Sequence, residues 1–105
     1  MRGVTTMDNK TFGLREGVLE KIIEIGIGYD AERLVIFGSR ARGDYKERSD
    51  IDIAIYGGNT DNFSLDVDEF VPTLLKFDVV NMNKPVQKEL RDSIEKEGVV
   101  IYEKV

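Results

Sequence analysis

One stretch decides the fold: Phe37-Gly38-Ser39-Arg40-Ala41-Arg42-Gly43-Asp44-Tyr45-Lys46-Glu47-Arg48-Ser49-Asp50-Ile51-Asp52-Ile53. It begins at the end of an apolar, β-branched segment, residues 33–37, which predicts a strand covered on both faces. Residues 38–49 predict a loop with one helical turn after Ser39. From Asp50 to Tyr56 apolar and polar residues alternate, which predicts a second strand with Asp50 and Asp52 on one face and the isoleucines on the other.

The rest of the chain adds helices and short strands around this stretch. Helices are expected at residues 14–27, at 63–74 with a break at Pro72, and from Asn83 or Pro85 to the glycine at position 98. Strands are expected at 77–82 and 99–102. The order α-β-β-α-β-α-β predicts an α/β (α+β) fold, a small mixed sheet of about four strands with helices packed on it. We expect one domain over residues 1–105, with residues 1–11 flexible and Met7 as an alternative start.

The composition removes several classes of site. The chain has 105 residues, a formal net charge of −5, and no Cys or His. Disulfides, zinc-thiolate sites and nucleophiles activated by His are therefore excluded, and a cytoplasmic location is expected. No apolar run approaches the ~18 residues of a membrane helix. Because general polyanion binders are usually basic, nucleic acid is not the expected ligand; a basic cluster between residues 33 and 48 favours a small anion.

Asp50 and Asp52 are the candidate metal ligands. Two residues apart on one strand face, they lie roughly 6–7 Å apart along it, so both side chains can lean onto one ion. Hard oxygen ligands without His or Cys favour Mg²⁺ or Mn²⁺. The alternative is a polar strand edge that faces water. Asp66 and Asp68 have the same spacing, but in a predicted helix they point apart and are assigned to the surface.

A phosphate-binding loop is expected directly after the first strand. Gly38 allows the backbone to approach a ligand closely, and Ser39 can add a hydroxyl donor to the amides that follow it. Arg40 and Arg42 could neutralise the charge of a triphosphate. The alternatives are an ordinary turn for the Gly-Ser pair and solvated surface for the two arginines. No Gly-Lys-Ser/Thr follows, so this is not a Walker A loop.

Asp78 opens the third predicted strand among apolar neighbours. A charge in that setting needs a partner or a function. If this strand lies beside the one with Asp52, Asp78 becomes a third carboxylate at the ion, able to bind a second metal or to take a proton from an attacking hydroxyl. The alternative is a carboxylate at a strand end in water.

The pairing of Gly38-Ser39 with Asp50-Ile51-Asp52, ten residues after Ser39, resembles the signature of the DNA polymerase β-like nucleotidyltransferase superfamily. More narrowly, it is similar to the minimal nucleotidyltransferases of bacteria and archaea. The resemblance implies a single domain that binds ATP or another nucleoside triphosphate with Mg²⁺, transfers a nucleoside monophosphate and releases pyrophosphate. It also implies that Gly38 and Ser39 contact phosphates, that Asp50 and Asp52 bind the metal, and that Asp78 is the third carboxylate.

Minimal members are commonly paired with a helical HEPN-type protein, and some act as antitoxins that add AMP to it. A domain of this size offers little wall for an acceptor, so a partner protein or a second copy is expected to complete the site. Two alternatives stay open: an antitoxin or nucleotide-binding partner that works by binding rather than catalysis, and a plain α/β domain with an accidental motif.

Overall fold

The computed structural model describes residues 12–105, and the predictions for residues 1–11 lie outside them. The chain forms four helices and four strands in the order α1(Val18–Gly28), β1(Arg33–Phe37), α2(Ser39–Arg42), β2(Ile51–Tyr56), α3(Thr60–Phe70), β3(Phe77–Asn81), α4(Lys88–Glu97) and β4(Val99–Glu103). None of these helices is long and apolar enough to cross a membrane.

The strands form one mixed sheet in the order β3-β2-β1-β4. β1 pairs antiparallel with both β2 and β4, while β2 and β3 are parallel and joined by α3. The predicted mixed sheet of four strands is therefore confirmed. The β1 prediction matches the observed strand, and the others differ by a residue at an end.

The sheet has a core on each face. The larger core packs α1 and α3 against Leu34, Ile36 and the isoleucines of β2. The smaller one lies under α4 and contains Val35, Phe37, Ala54 and Ile94. β1 is buried on both faces, as its apolar run predicts. The Asp50–Asp52 side of β2 belongs to the face that α4 covers, because Ala54 follows Asp52 at the period of a strand.

Two helix predictions need correction at their ends. α1 begins at Val18, not Leu14, because Gly17 has a left-handed backbone; Leu14 still reaches the core from the preceding turn. α3 begins at Thr60, where Asn59 caps it, and ends at Phe70, before the proline. The predicted helical stripe therefore ends early, and Leu74 is fully exposed rather than packed.

The start of α4 is also later than predicted. Asn83 does not cap this helix, which begins at Lys88 after Gln87. The side-chain oxygen of Asn83 instead accepts a hydrogen bond of 2.6 Å from the amide of Gly57. The residue thus joins the end of β2 to the turn after β3, and that use of the side chain competes with helix capping.

Candidate active site

The carboxylates predicted to bind metal lie at one end of two neighbouring strands, β2 and the edge strand β3. Asp52 is the partner of Asp78 in the parallel β2–β3 register, and of Phe37 in the antiparallel β1–β2 register. Paired residues of neighbouring strands lie about 4.8 Å apart and project to the same face. Asp50 immediately precedes β2. The sequence predicts a third carboxylate here only if β3 lies beside β2. The observed sheet order meets that condition and brings Asp78 beside Asp52.

Electrostatics confirm that the three carboxylates share one neighbourhood. The pKa of Asp52 is raised to about 6, first by burial and then by the negative charges of Asp78 and Asp50. Arg42 and Arg40 oppose this shift, but they do not cancel it. Within residues 12–105 no hydrogen bond reaches the Asp52 carboxylate from a side chain or the backbone. A half-buried carboxylate with neighbouring negative charges and no donor is suited to a cation.

The carboxylates do not form a closed metal cage by themselves. Among the described residues no three acidic side chains converge tightly enough to hold an ion unaided. Mg²⁺ does not need such a cage, since it commonly takes one or two carboxylates and completes its shell with water and substrate phosphate. The donor set thus fits Mg²⁺ or Mn²⁺ together with a nucleotide better than either ion alone.

Gly38 allows the Asp52 carboxylate to approach the loop. Its backbone angles, φ 76° and ψ −154°, fall in a region that essentially only glycine adopts. A Cβ at this position would overlap Oδ2 of Asp52. The sequence predicts that this glycine permits a close approach; here the group that comes close is the carboxylate itself.

The loop after Gly38 forms the short helix α2. The carbonyl of Gly38 accepts hydrogen bonds from the amides of Ala41 and Arg42, at 3.1 and 3.0 Å. The amides of Ser39 and Arg40, the first two of this turn, have no backbone acceptor among residues 12–105. These two amides and the Ser39 hydroxyl are the donors that the loop can offer to an anion.

The two arginines of the loop have different surroundings. Arg42 is 41% exposed, forms ion pairs with Asp44 at 3.2 Å and Glu97 at 3.1 Å, and is near enough to lower the pKa of Asp52. It can exchange a carboxylate for a phosphate. Arg40 is only 2% exposed. Its guanidinium donates to backbone carbonyls, so the prediction that Arg40 contacts the triphosphate does not fit the structure.

Two residues at this site were not predicted from the sequence. Glu97, at the end of α4, pairs with Arg42 although 55 residues separate them. Tyr45 places its ring 4.9 Å from the Arg40 guanidinium. Neither residue belongs to a local pattern, and only the packing of α4 and of the loop places them here. Lys46 and Arg48, two further basic residues of this loop, are exposed.

A groove of about 480 Å³ lies away from these carboxylates. It is lined by Arg33, Tyr56 and Glu103, which are at the opposite end of β1, β2 and β4 from Asp52. Arg33 stacks on Tyr56 and pairs with Glu103 there, so the polar groups of this groove already satisfy one another. The carboxylate end of the sheet is therefore the better candidate for chemistry.

Comparison with known proteins identifies relatives of this chain. The family model described as "Polymerase beta, Nucleotidyltransferase" matches residues 20–105. A Methanocaldococcus jannaschii protein assigned by name as a protein adenylyltransferase is 36% identical over 80 residues, which cover 68% of this chain and 78% of that protein.

Two solved structures share the fold at low sequence identity. A toxin–antitoxin structure with AMP-PNP has a TM-score of 0.68 at 19% identity, covering 82% of this chain and 73% of its own. A Sulfolobus solfataricus protein assigned as a nucleotidyltransferase has a TM-score of 0.55 at 24% identity, covering 98% and 89%. The family match spans the carboxylates, the Gly-Ser loop and all four strands, and so the chain belongs to the polymerase β family of nucleotidyltransferases.

Proposed function

We propose that this nucleotidyltransferase binds ATP with Mg²⁺ at Asp50, Asp52 and Asp78 and transfers AMP to a hydroxyl group on a partner protein. One observation carries the proposal. The Asp52 carboxylate lies against the Gly38 turn, beside two further acidic residues, and its pKa is raised to about 6. Such a cluster is unfavourable in the free protein and becomes favourable when a divalent cation binds to it.

The nucleotide phosphates would bind between the loop and these carboxylates. The amides of Ser39 and Arg40 and the Ser39 hydroxyl are donors at the start of α2. Arg42 supplies a cation within reach of Asp52, once a phosphate takes the place of Asp44 or Glu97. Arginine suits this role because its planar fork can donate two parallel hydrogen bonds.

The metal would be held by Asp50 and Asp52 with Asp78 beside them, its shell completed by water and substrate phosphate, and would neutralise charge that develops on the phosphates. In the reaction the acceptor oxygen attacks the α-phosphorus of ATP. The new O–P bond forms while the bond between the α-phosphorus and its bridging oxygen breaks, and pyrophosphate leaves. The acceptor proton passes to a carboxylate. Asp78 suits this task because it is exposed at the open edge of the sheet, where an acceptor can approach.

A protein acceptor is supported by the relatives. The M. jannaschii relative is assigned as a protein adenylyltransferase. A further structural neighbour is a mutant of the toxin–antitoxin pair MntA-HpeT, with two Asp-to-Glu changes two positions apart, the spacing of Asp50 and Asp52. We propose as acceptor a helical protein of the HEPN type, with this chain as its antitoxin.

The test is transfer of label from α-³²P-ATP to the partner protein. We expect label on the partner only with Mg²⁺ or Mn²⁺, and at least a hundredfold less with Asp52→Asn. Asp68→Asn is the matched control, an exposed Asp-to-Asn change on α3; it should leave transfer intact. No label with the wild type would refute the proposal. If an Asp50→Asn/Asp52→Asn variant still neutralises the partner, the protein acts by binding rather than catalysis.

A further inference from the structure

Arg40 is a buried cation that has no carboxylate partner among the described residues. Its side chain makes five hydrogen bonds, all to backbone carbonyls. The Tyr45 ring stacks on the guanidinium at 4.9 Å. Burying an arginine in this way is unfavourable unless every donor is satisfied, so the carbonyls must be held in place around it.

These carbonyls come from two separate segments. On one side Nη1 donates to Phe12 at 2.8 Å and Gly13 at 3.3 Å. On the other, Nη2 donates to Glu47 at 3.2 Å, and both Nη2 and Nε donate to Ser49, at 2.9 and 3.1 Å. One side chain therefore joins the segment before α1 to the loop before β2.

The position of Arg40 in the chain gives these bonds their significance. Arg40 directly follows Ser39, the donor residue of the phosphate loop, while Ser49 directly precedes Asp50. Pairing of β1 with β2 places Asp52 beside Phe37, but Asp50 precedes this ladder and belongs to residues 43–50, which lie between α2 and β2. The Arg40–Ser49 hydrogen bonds are the side-chain contacts that join the residue next to Asp50 to the phosphate loop.

The segment at Phe12 and Gly13 holds two of the carbonyls that accept hydrogen bonds from Arg40. Phe12 is buried in the larger core although its φ is 85°, a left-handed backbone that is uncommon for a residue other than glycine. A Cβ on Gly13 would overlap the Tyr45 ring. The strained turn thus keeps the Phe12 carbonyl on Arg40 while Tyr45 covers the guanidinium.

We propose that Arg40 is a positioning residue whose side chain fixes Asp50 relative to the phosphate-binding loop and does not itself bind nucleotide. The inference has two parts. That Arg40 fixes the loop before β2 can be tested without any ligand, whereas its effect on nucleotide binding rests on the proposed function.

The ligand-free test measures amide hydrogen exchange at Ser49, whose N–H donates to the Lys46 carbonyl at 3.0 Å. Arg40→Lys keeps the charge but loses the planar fork, so we expect the Ser49 amide to exchange at least tenfold faster. Val67→Ala, a buried change in α3, is a control for a general loss of stability and should leave this amide within twofold of wild type. An unchanged Ser49 amide in Arg40→Lys would overturn the proposal.

The functional test measures Mg²⁺–AMP-PNP binding by calorimetry. We expect Arg40→Lys to raise Kd about tenfold, Val67→Ala less than twofold, and Arg40→Lys to add little in an Asp50→Asn background. Non-additivity is the signature of action through Asp50. Full additivity, or wild-type affinity in Arg40→Lys, would refute the positioning role. A wild type that does not bind the nucleotide would refute the proposed function instead, while the Ser49 exchange still decides whether Arg40 fixes the loop.

Discussion

Replacing Gly38 with alanine tests the contact on which the candidate site depends. The backbone at this position, φ 76° and ψ −154°, is essentially restricted to glycine, and another residue there costs about 1–3 kcal/mol. The added Cβ would also overlap Oδ2 of Asp52. Turning that carboxylate away from its rotamer adds about 0.5–1.5 kcal/mol. We therefore expect Gly38→Ala to lower the free energy of unfolding by about 2–4 kcal/mol.

Gly43→Ala is the matched control. Gly43 also has a left-handed backbone, φ 96°, but a Cβ there would meet no atom within 4 Å. Its cost is limited to the backbone, about 1–2 kcal/mol. Urea denaturation of both variants measures the difference, and an m-value close to that of the wild type shows that the unfolding transition is comparable.

A double-mutant cycle separates the two contributions at Gly38. In an Asp52→Ala background the carboxylate is gone, so the cost of Gly38→Ala should fall by about 0.5–1.5 kcal/mol. Gly38→Ala in the wild-type background should also abolish Mg²⁺–nucleotide binding, because Asp52 is displaced. Equal costs for the two glycines, together with no coupling to Asp52, would refute the close approach of loop and carboxylate.

Three further predictions follow from the same geometry. Asp52→Asn should stabilise the metal-free protein at pH 7 by about 1–2 kcal/mol: two pKa units correspond to ~3 kcal/mol, reduced because the group is half-exposed. Because the folded pKa of Asp52 is raised, the wild type is not destabilised by this carboxyl below about pH 4, where it is protonated in the folded and unfolded states. The destabilisation develops as the pH rises through about 6, so melting at pH 4 should show no advantage of the variant. Glu97→Gln releases Arg42 from one carboxylate and should tighten Mg²⁺–nucleotide binding about twofold, as measured by calorimetry. The free energy of unfolding should change by less than ~0.5 kcal/mol because the ion pair is exposed. Weaker nucleotide binding would contradict the role of Arg42. Phe63→Ala should cost ~3–5 kcal/mol in urea denaturation and Leu74→Ala less than ~0.5, although both belong to one apolar pattern.

The sheet was predictable because burial repeats at the period of a strand. Residues 34–37 are apolar throughout and lie in the centre of the sheet, while the alternation after Asp50 separates the isoleucines from the carboxylates. The helix ends were less predictable. Phe70 and Leu74 continue the apolar pattern of α3, yet they are 53% and 103% exposed. A proline and a turn interrupt the helix before the pattern ends, and periodicity alone does not include that competition.

The parts of the candidate site whose side chains lie close together in the sequence could be predicted. The spacing within the Gly-Ser and Asp-x-Asp stretch indicates the loop and two carboxylates, and Asp78 follows if β3 lies next to β2. The role of Arg40 could not be predicted, because its partners are backbone carbonyls, among them that of Phe12, 28 residues away. Any residue has such a carbonyl, so the sequence carries no signal for it. The basic loop predicts either a phosphate ligand or a solvated side chain at Arg40, and neither matches the buried residue of the structure.

Three features that lower stability lie in the stretch that contains the candidate site. Gly38 has a restricted backbone, Asp52 is kept half-buried near two like charges, and Arg40 is a buried cation whose hydrogen bonds all go to backbone carbonyls. Each is unfavourable in isolation, and none of these three residues belongs to either hydrophobic core. A loop selected for stability alone would need neither the buried arginine nor the carboxylate pressed against a glycine. Their coincidence within fifteen residues, from 38 to 52, is expected under the proposed function, in which a cation and a phosphate chain bind between the loop and β2.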